Sequence, residues 1–184
     1  MIGIPSLSYL EVAVLSSMFP AIFVTSYEVM NSPIEGPFAR CGGSVFVDRR
    51  SKTTVRNDIR VLSGLLMKGF NIVVFPEATS SSGETVLPFK SSLLNAALIT
   101  EVEILPVCLN YTFIDSERIT ALNRDKIFYY GEMRFIEHLL GLLHLRLIDL
   151  EVTFLECVPA EISDRKSVAT LAFRCISDAY VAVH

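Results

Sequence analysis

Apolar runs of strand length alternate along this chain with longer stretches in which apolar residues recur at helical spacing. The strand-like runs are AIFVTS at 21–26, SVFVD at 44–48, NIVVFPE at 71–77, ILPVCLNY at 104–111, KIFYYG at 126–131 and LIDLEVTFLECV at 147–158. Val, Ile, Phe and Tyr are frequent in them, as in strands buried on a sheet. Between them, residues 53–68 place Val55, Ile59, Leu62, Leu65 and Leu66 on one stripe, with Arg56, Asn57, Asp58 and Arg60 elsewhere and Gly69 beyond the end. That is the pattern of a helix with one face on a core. Residues 91–99, 134–144 and 164–182 read the same way, and Asp164 stands where the last would take its N-cap. Such alternation predicts an α/β fold: one domain over residues 1–184, with a mostly parallel central sheet flanked by helices.

Composition narrows the function classes. With 184 residues, 51% of them apolar, the chain can bury a sizeable single core. A net charge of -4 provides no global basic field, so no nucleic-acid partner is expected, and an anion would need a local cluster of arginine and lysine. Cys41, Cys108, Cys157 and Cys175 form no C-x-x-C pair. Reduced thiols are therefore expected, with neither a metal site nor a disulfide framework.

A mean hydropathy of +0.47 is high for a soluble domain. Two readings stay open: a densely filled parallel sheet, or a surface that meets lipid. The uncharged stretch at 12–27 is shorter than the roughly 18 residues a spanning helix needs and contains Pro20. No basic leader precedes an apolar segment, so no signal peptide is expected. The stripe of Phe135, Ile136, Leu139, Leu140 and Leu143 fits either a core face or an amphipathic helix lying on a bilayer.

Three segments carry candidate chemistry, each where a predicted strand ends, the place at which open α/β sheets bind ligands. In VFVDRRS, at 45–51, adjacent arginines follow a strand. They can hold a phosphate through the guanidinium fork, or simply be solvated. In FPEATSSSG, at 75–83, Glu77 follows a proline that ends the ladder and is expected to point into a crevice. The hydroxyls of Thr79, Ser80 and Ser81 can bond an anion or belong to an ordinary polar loop. In LPFKSS, at 87–92, Lys90 leads into the next helix, and a further strand is interrupted at Pro106.

In sequence order, PSLSYLE, GSVFVDR, FPEATSS with LPFK, and ILPV resemble the motifs of the glycerolipid acyltransferase family, over residues 5 to 111. The resemblance implies transfer of an acyl group from acyl-CoA or acyl-acyl carrier protein to a lysophosphatidic-acid-like lysophospholipid. It implies no bound cofactor or metal, and a peripheral position on the cytoplasmic face of a membrane. It assigns binding of the acceptor's phosphate to Arg49. Gly43, Glu77, Thr79, Ser80, Lys90 and Pro106 take the other binding-block positions, and Ala78 stands where many members have glycine.

The first block departs from the family. Its histidine, the general base on the acceptor hydroxyl, falls on Ser6, and its orienting aspartate falls on Glu11. A serine hydroxyl is no base near neutral pH, so about 10²- to 10⁴-fold of rate should be missing. The histidines His138, His144 and His184 all lie beyond the motifs and would have to fold back to serve. Glu11, if buried among Leu7, Leu10 and Val14, would have a raised pKa approaching that of a general base; otherwise it is an exposed helix residue. Only residues 1–4 precede the block, so the membrane segment and leading strand usual in the family are expected to be missing, leaving a sheet edge exposed. The rival reading is a non-catalytic lipid or acyl-carrier binding module. A nucleotide-binding protein would need a glycine-rich phosphate loop, which the chain does not contain.

Overall fold

A computed structural model describes residues 1–48, 52–159 and 164–184, and the side chains of Lys52 and Thr53 are not described. The chain runs β1 (Ile2–Gly3), α1 (Leu10–Met18), β2 (Ile22–Ser26), α2 (Tyr27–Asn31), α3 (Glu35–Cys41), β3 (Val45–Val47), α4 (Lys52–Met67) and β4 (Ile72–Val74). It continues with α5 (Asn95–Ile99), β5 (Leu105–Ile114), β6 (Glu117–Arg118), α6 (Phe135–Leu142), β7 (Ile148–Phe154) and α7 (Arg165–Ala179). The strands form one sheet in the order β3-β2-β4-β1-β5, all parallel, and β6 and β7 pair antiparallel with β5.

The alternation of side chains across a strand divides the core into two layers. Ile72 and Val74 of β4 point to a layer with Leu62 and Leu66 of α4, Leu94, and Val168 and Ala172 of α7. Val73, between them, points to the opposite layer with Ile4, Leu15 of α1, Phe23, Val107 and Leu109. Burial on both faces explains why β4 reads as an unbroken apolar run. The α4 stripe packs as expected, and Asp164 caps α7 by accepting the Ser167 N–H at 3.0 Å.

Three expectations are corrected. Residues 126–131 are no strand: Ile127 and Phe128 are fully buried, but their N–H groups donate to the Arg124 carbonyl, and the Tyr129 N–H donates to Leu7. An apolar run without a neighbouring ladder fills the core as a turn. The helix at 91–99 is confined to Asn95–Ile99. No edge opens at the start of the chain, because Ile2–Gly3 pairs with β4 on one side and β5 on the other, at the centre of the sheet.

The α6 stripe divides between the two readings. Phe135 turns inward against Tyr9, with ring centroids 5.1 Å apart, and Leu142 packs beside the core. Ile136, Leu140 and Leu143 remain 40%, 54% and 70% exposed. Among the described residues no helix is long and apolar enough to cross a membrane.

Candidate functional site

Parallel pairing brings the blocks together. Gly3 of β1 is in register with Val74 of β4, so the segments leaving both strands emerge side by side at the same edge of the sheet. β3 is parallel too, and its exit at Asp48 is fixed where the Asp48 N–H donates to Asp58 of α4 at 3.1 Å. Arg49, the residue on which phosphate recognition was expected, lies outside the described residues. Gly43 forms the turn before β3 with φ +67°, a conformation that favours glycine, and its N–H donates to the Arg40 carbonyl.

Glu77 is placed differently from the sequence reading. Its side chain is buried, with Oε2 accepting the Ser6 N–H at 2.7 Å and Oε1 accepting the Leu87 N–H at 2.6 Å. It therefore braces three segments instead of projecting into a crevice. Burial pushes its carboxyl up to about 7, against the pull of the two backbone donors. The Ser6 carbonyl accepts the Ser81 N–H at 3.0 Å, so the first block is tied to the hydroxyl-bearing loop from both sides of its peptide.

Glu11 is fully buried. Both of its oxygens lie 2.9 Å from the Ser8 N–H, and Oε1 accepts the Tyr111 hydroxyl at 2.9 Å. Ser8-Tyr9-Leu10-Glu11 is thus the half of a capping box in which the carboxyl reaches back to an otherwise unpaired N–H. The S-x-x-E spacing was a legible signal for that role; nothing in the sequence pointed to Tyr111. Burial pushes the Glu11 carboxyl up to about 8, so at neutral pH it is mostly the neutral acid.

On the rim, Thr79 and Lys90 are exposed and Ser80 is half-buried. The Lys90 backbone is held by a 2.8 Å bond from its N–H to the Pro76 carbonyl. Beside Lys90 lies a small pocket of about 40 Å³ whose lining is mostly apolar, with Val55, Val74, Phe75 and Ala78 among its walls. Pro106 is buried in β5 in register with Gly3, where it needs no N–H, and its carbonyl accepts the Leu155 N–H at 3.0 Å.

One histidine does return to the first block. The Tyr9 hydroxyl and His138 Nδ1 are 2.9 Å apart, within a packed group of Tyr9, Tyr129, Phe135 and His138 rings. Burial holds the imidazole below its ordinary value. Its contact is with Tyr9, whereas Ser6 bonds through its backbone to Glu77 and Ser81. His144, two residues beyond α6, bonds the Leu140 carbonyl of that helix. Among the described residues no group of His, Cys, Asp and Glu side chains could hold a metal ion.

A family model described as Acyltransferase matches residues 7–110, which span α1 to β5 and all of these contacts except those of residues 1–6 and of the chain beyond 110. The chain belongs to the Acyltransferase family. This acyltransferase-family chain is 32% identical over 172 residues to a lyso-ornithine lipid O-acyltransferase of Rhizobium meliloti (strain 1021), covering 89% of itself and 59% of that relative. It is 33% identical to the lyso-ornithine lipid O-acyltransferase of Brucella abortus (strain 2308), covering 88% of itself and 64% of the relative. A 1-acyl-sn-glycerol-3-phosphate acyltransferase of Neisseria gonorrhoeae is 33% identical over 104 residues, 56% of this chain and 41% of the relative. The chain thus spans less than two thirds of the length of each. The crystal structure of the 1-acyl-sn-glycerophosphate acyltransferase PlsC from Thermotoga maritima shares the fold, with TM-score 0.58 over 97% of this chain and 63% of that one, at 19% identity.

The backbone turns sharply between Glu77 and Thr79. Ala78 has φ +62°. Such a left-handed conformation costs a residue with a Cβ roughly 1–2 kcal/mol.

Proposed function

We propose that this chain is a lysolipid acyltransferase domain whose binding edge is kept and whose proton acceptor is lost. In the reaction, a free hydroxyl oxygen of the acceptor bonds to the acyl carbon as the C–S bond of the thioester breaks, and the hydroxyl proton ends on the departing thiol. The observation that carries this reading is the Glu77 carboxyl accepting the Ser6 N–H at 2.7 Å: the first and third blocks are joined at the first-block position, and the side chain there is a hydroxyl. Thr79, Ser80, Lys90 and Arg49 are the polar and cationic groups offered to the acceptor head group. The donor is acyl-CoA or acyl-acyl carrier protein. A lyso-ornithine lipid is the first acceptor to test and lysophosphatidate the second, because the relatives named above for the former align with 88–89% of the chain and a relative named for the latter with 56%.

In the same reading, the exposed Ile136 and Leu140 of α6 and Leu143 at its C-cap rest on the lipid surface that supplies the acceptor, at the cytoplasmic face of a membrane. The helix is attached to the first block through Tyr9, which would keep that surface close to the site.

A second reading, a non-catalytic lipid or acyl-carrier binding module, is favoured by the engagement of Glu11, whose carboxyl is buried in bonds to Ser8 and Tyr111 and cannot replace the missing imidazole. Product formation is to be measured with both acceptors and both donors, for the wild-type chain, Ser6→His, and Ser6→His with Glu11→Asp. A gain of about 10²- to 10⁴-fold in a restored variant is expected. Wild-type turnover within tenfold of the restored chains would sink the loss of the base. If no variant forms product, but the wild-type chain binds lysolipid and Arg49→Ala abolishes that binding, the module reading replaces the first.

A further inference from the structure

The connection from β4 to α5, residues 75–94, carries the hydroxyl-bearing loop and contains no regular helix or strand. Its shape must be imposed by bonds to other parts of the chain, since a segment with few internal hydrogen bonds opens easily. Glu77 supplies such bonds near its start. A second set comes from residues 180–184, which follow α7 and lie outside the stretch that the family model matches.

The Tyr180 hydroxyl donates to the Gly83 carbonyl at 2.8 Å, and the Val183 N–H donates to the same oxygen at 2.9 Å. The Gly83 N–H in turn donates to Ser81 Oγ at 3.3 Å, and the Ser81 N–H donates to the Ser6 carbonyl at 3.0 Å. Tyr180 is therefore linked to the first-block residue by three hydrogen bonds in series, joined through the covalent frames of Gly83 and Ser81. Gly83 is locked in addition by its φ of +81° and by the Phe128 ring, which would lie 2.3 Å from an added Cβ.

The anchoring segment is itself held. The Val181 N–H donates to Asn110 of β5 at 2.9 Å, Asn110 Nδ2 donates to the Ala179 carbonyl at 3.0 Å, and Arg124 donates to the Val183 carbonyl at 3.2 Å while reaching Glu84 at 2.7 Å. Burial keeps the Tyr180 hydroxyl protonated, so it remains a donor throughout the working pH range.

We propose that Tyr180 is a positioning residue: through Gly83 and Ser81 it holds residues 79–83 and the Ser6 backbone in the arrangement that receives the lysolipid head group. The inference rests on the acceptor reading above for its ligand, but not for its mechanics.

Hydrogen exchange followed by mass spectrometry on the whole chain separates the two. Tyr180→Phe keeps the ring and removes only the donor. It is expected to speed exchange at the Ser81 and Gly83 amides about fivefold to tenfold, the scale of one lost hydrogen bond, with β4 and β5 amides unchanged. Its Kd for lyso-ornithine lipid in non-ionic detergent should rise by a similar factor, while Val181→Ala, which alters only an exposed side chain, changes neither. Unchanged exchange at residues 81 and 83, or equal acceleration throughout the sheet, overturns the role of Tyr180. Faster local exchange with an unaltered Kd overturns its link to the head group. If the wild-type chain binds no lysolipid, the acceptor reading fails, and the exchange pattern alone decides whether Tyr180 holds the loop.

Discussion

The Tyr111 hydroxyl donates to Glu11 Oε1 at 2.9 Å and joins β5 to the first turn of α1 inside the core. With the ring retained and the hydroxyl removed, the buried carboxyl loses one of its donors. Tyr111→Phe should therefore lower stability by about 1–3 kcal/mol, read as a shift in the urea unfolding midpoint at unchanged slope. A midpoint equal to wild type would mean that this bond contributes nothing.

The two buried carboxyls set a pH dependence of stability. Burial raises Glu11 to about 8 and Glu77 to about 7, from 4.5. Between these values and 4.5 the folded chain binds more protons than the unfolded chain, so stability is greatest at the acid side of the window and declines as pH rises through it. The thermal midpoint should fall between about pH 5 and pH 8, and Glu11→Gln should flatten the fall at its upper end. A midpoint that climbs over this range contradicts the assignment.

Two glycines with positive φ should respond differently to alanine. Gly83→Ala meets both the strained φ of +81° and the buried Phe128 ring 2.3 Å away, and should cost about 3 kcal/mol or more. Gly131→Ala, with φ +64° and nothing within 4 Å, should cost only the conformational strain of about 1–2 kcal/mol. Equal losses in denaturant unfolding would rule out the contact with Phe128 as the cause.

Ala78→Gly should be tolerated or mildly stabilising. Relief of the φ of +62° is worth about 1–2 kcal/mol, and the greater freedom of glycine in the unfolded chain returns about 0.4–1 kcal/mol of it. A loss of more than about 1 kcal/mol would show that the Ala78 methyl makes a contact that outweighs the strain.

If α6 meets lipid, Leu140→Asp with Leu143→Asp should sharply reduce co-sedimentation with phospholipid vesicles while leaving the thermal midpoint within a degree or so, because both side chains are more than half exposed. Unchanged vesicle binding would remove this helix from the membrane surface.

Much of the fold was legible because burial leaves a periodic trace. The 3.6-residue period of α4, the Asp164 cap and the apolar run at β4 follow from backbone geometry that any neighbour would require. Residues 126–131 were misread because apolar composition reports burial and says nothing of whether a strand lies alongside to pair with. The motif blocks were legible in order along the chain, and the hydroxyl carried at position 6 is the same whatever fold surrounds it.

Which side chains stand in each block follows from residue order alone, and no packing turns the Ser6 hydroxyl into a base at neutral pH. The partners of Glu77, Glu11 and Tyr180 come from packing. A carboxyl at a strand exit can face solvent or accept backbone N–H groups, and the choice depends on which segments the sheet order brings beside it. β1 lies between β4 and β5, so Ser6 meets Glu77 and Glu11 meets Tyr111. Partners separated by 71 and 100 residues are joined by that strand order, which no local pattern encodes.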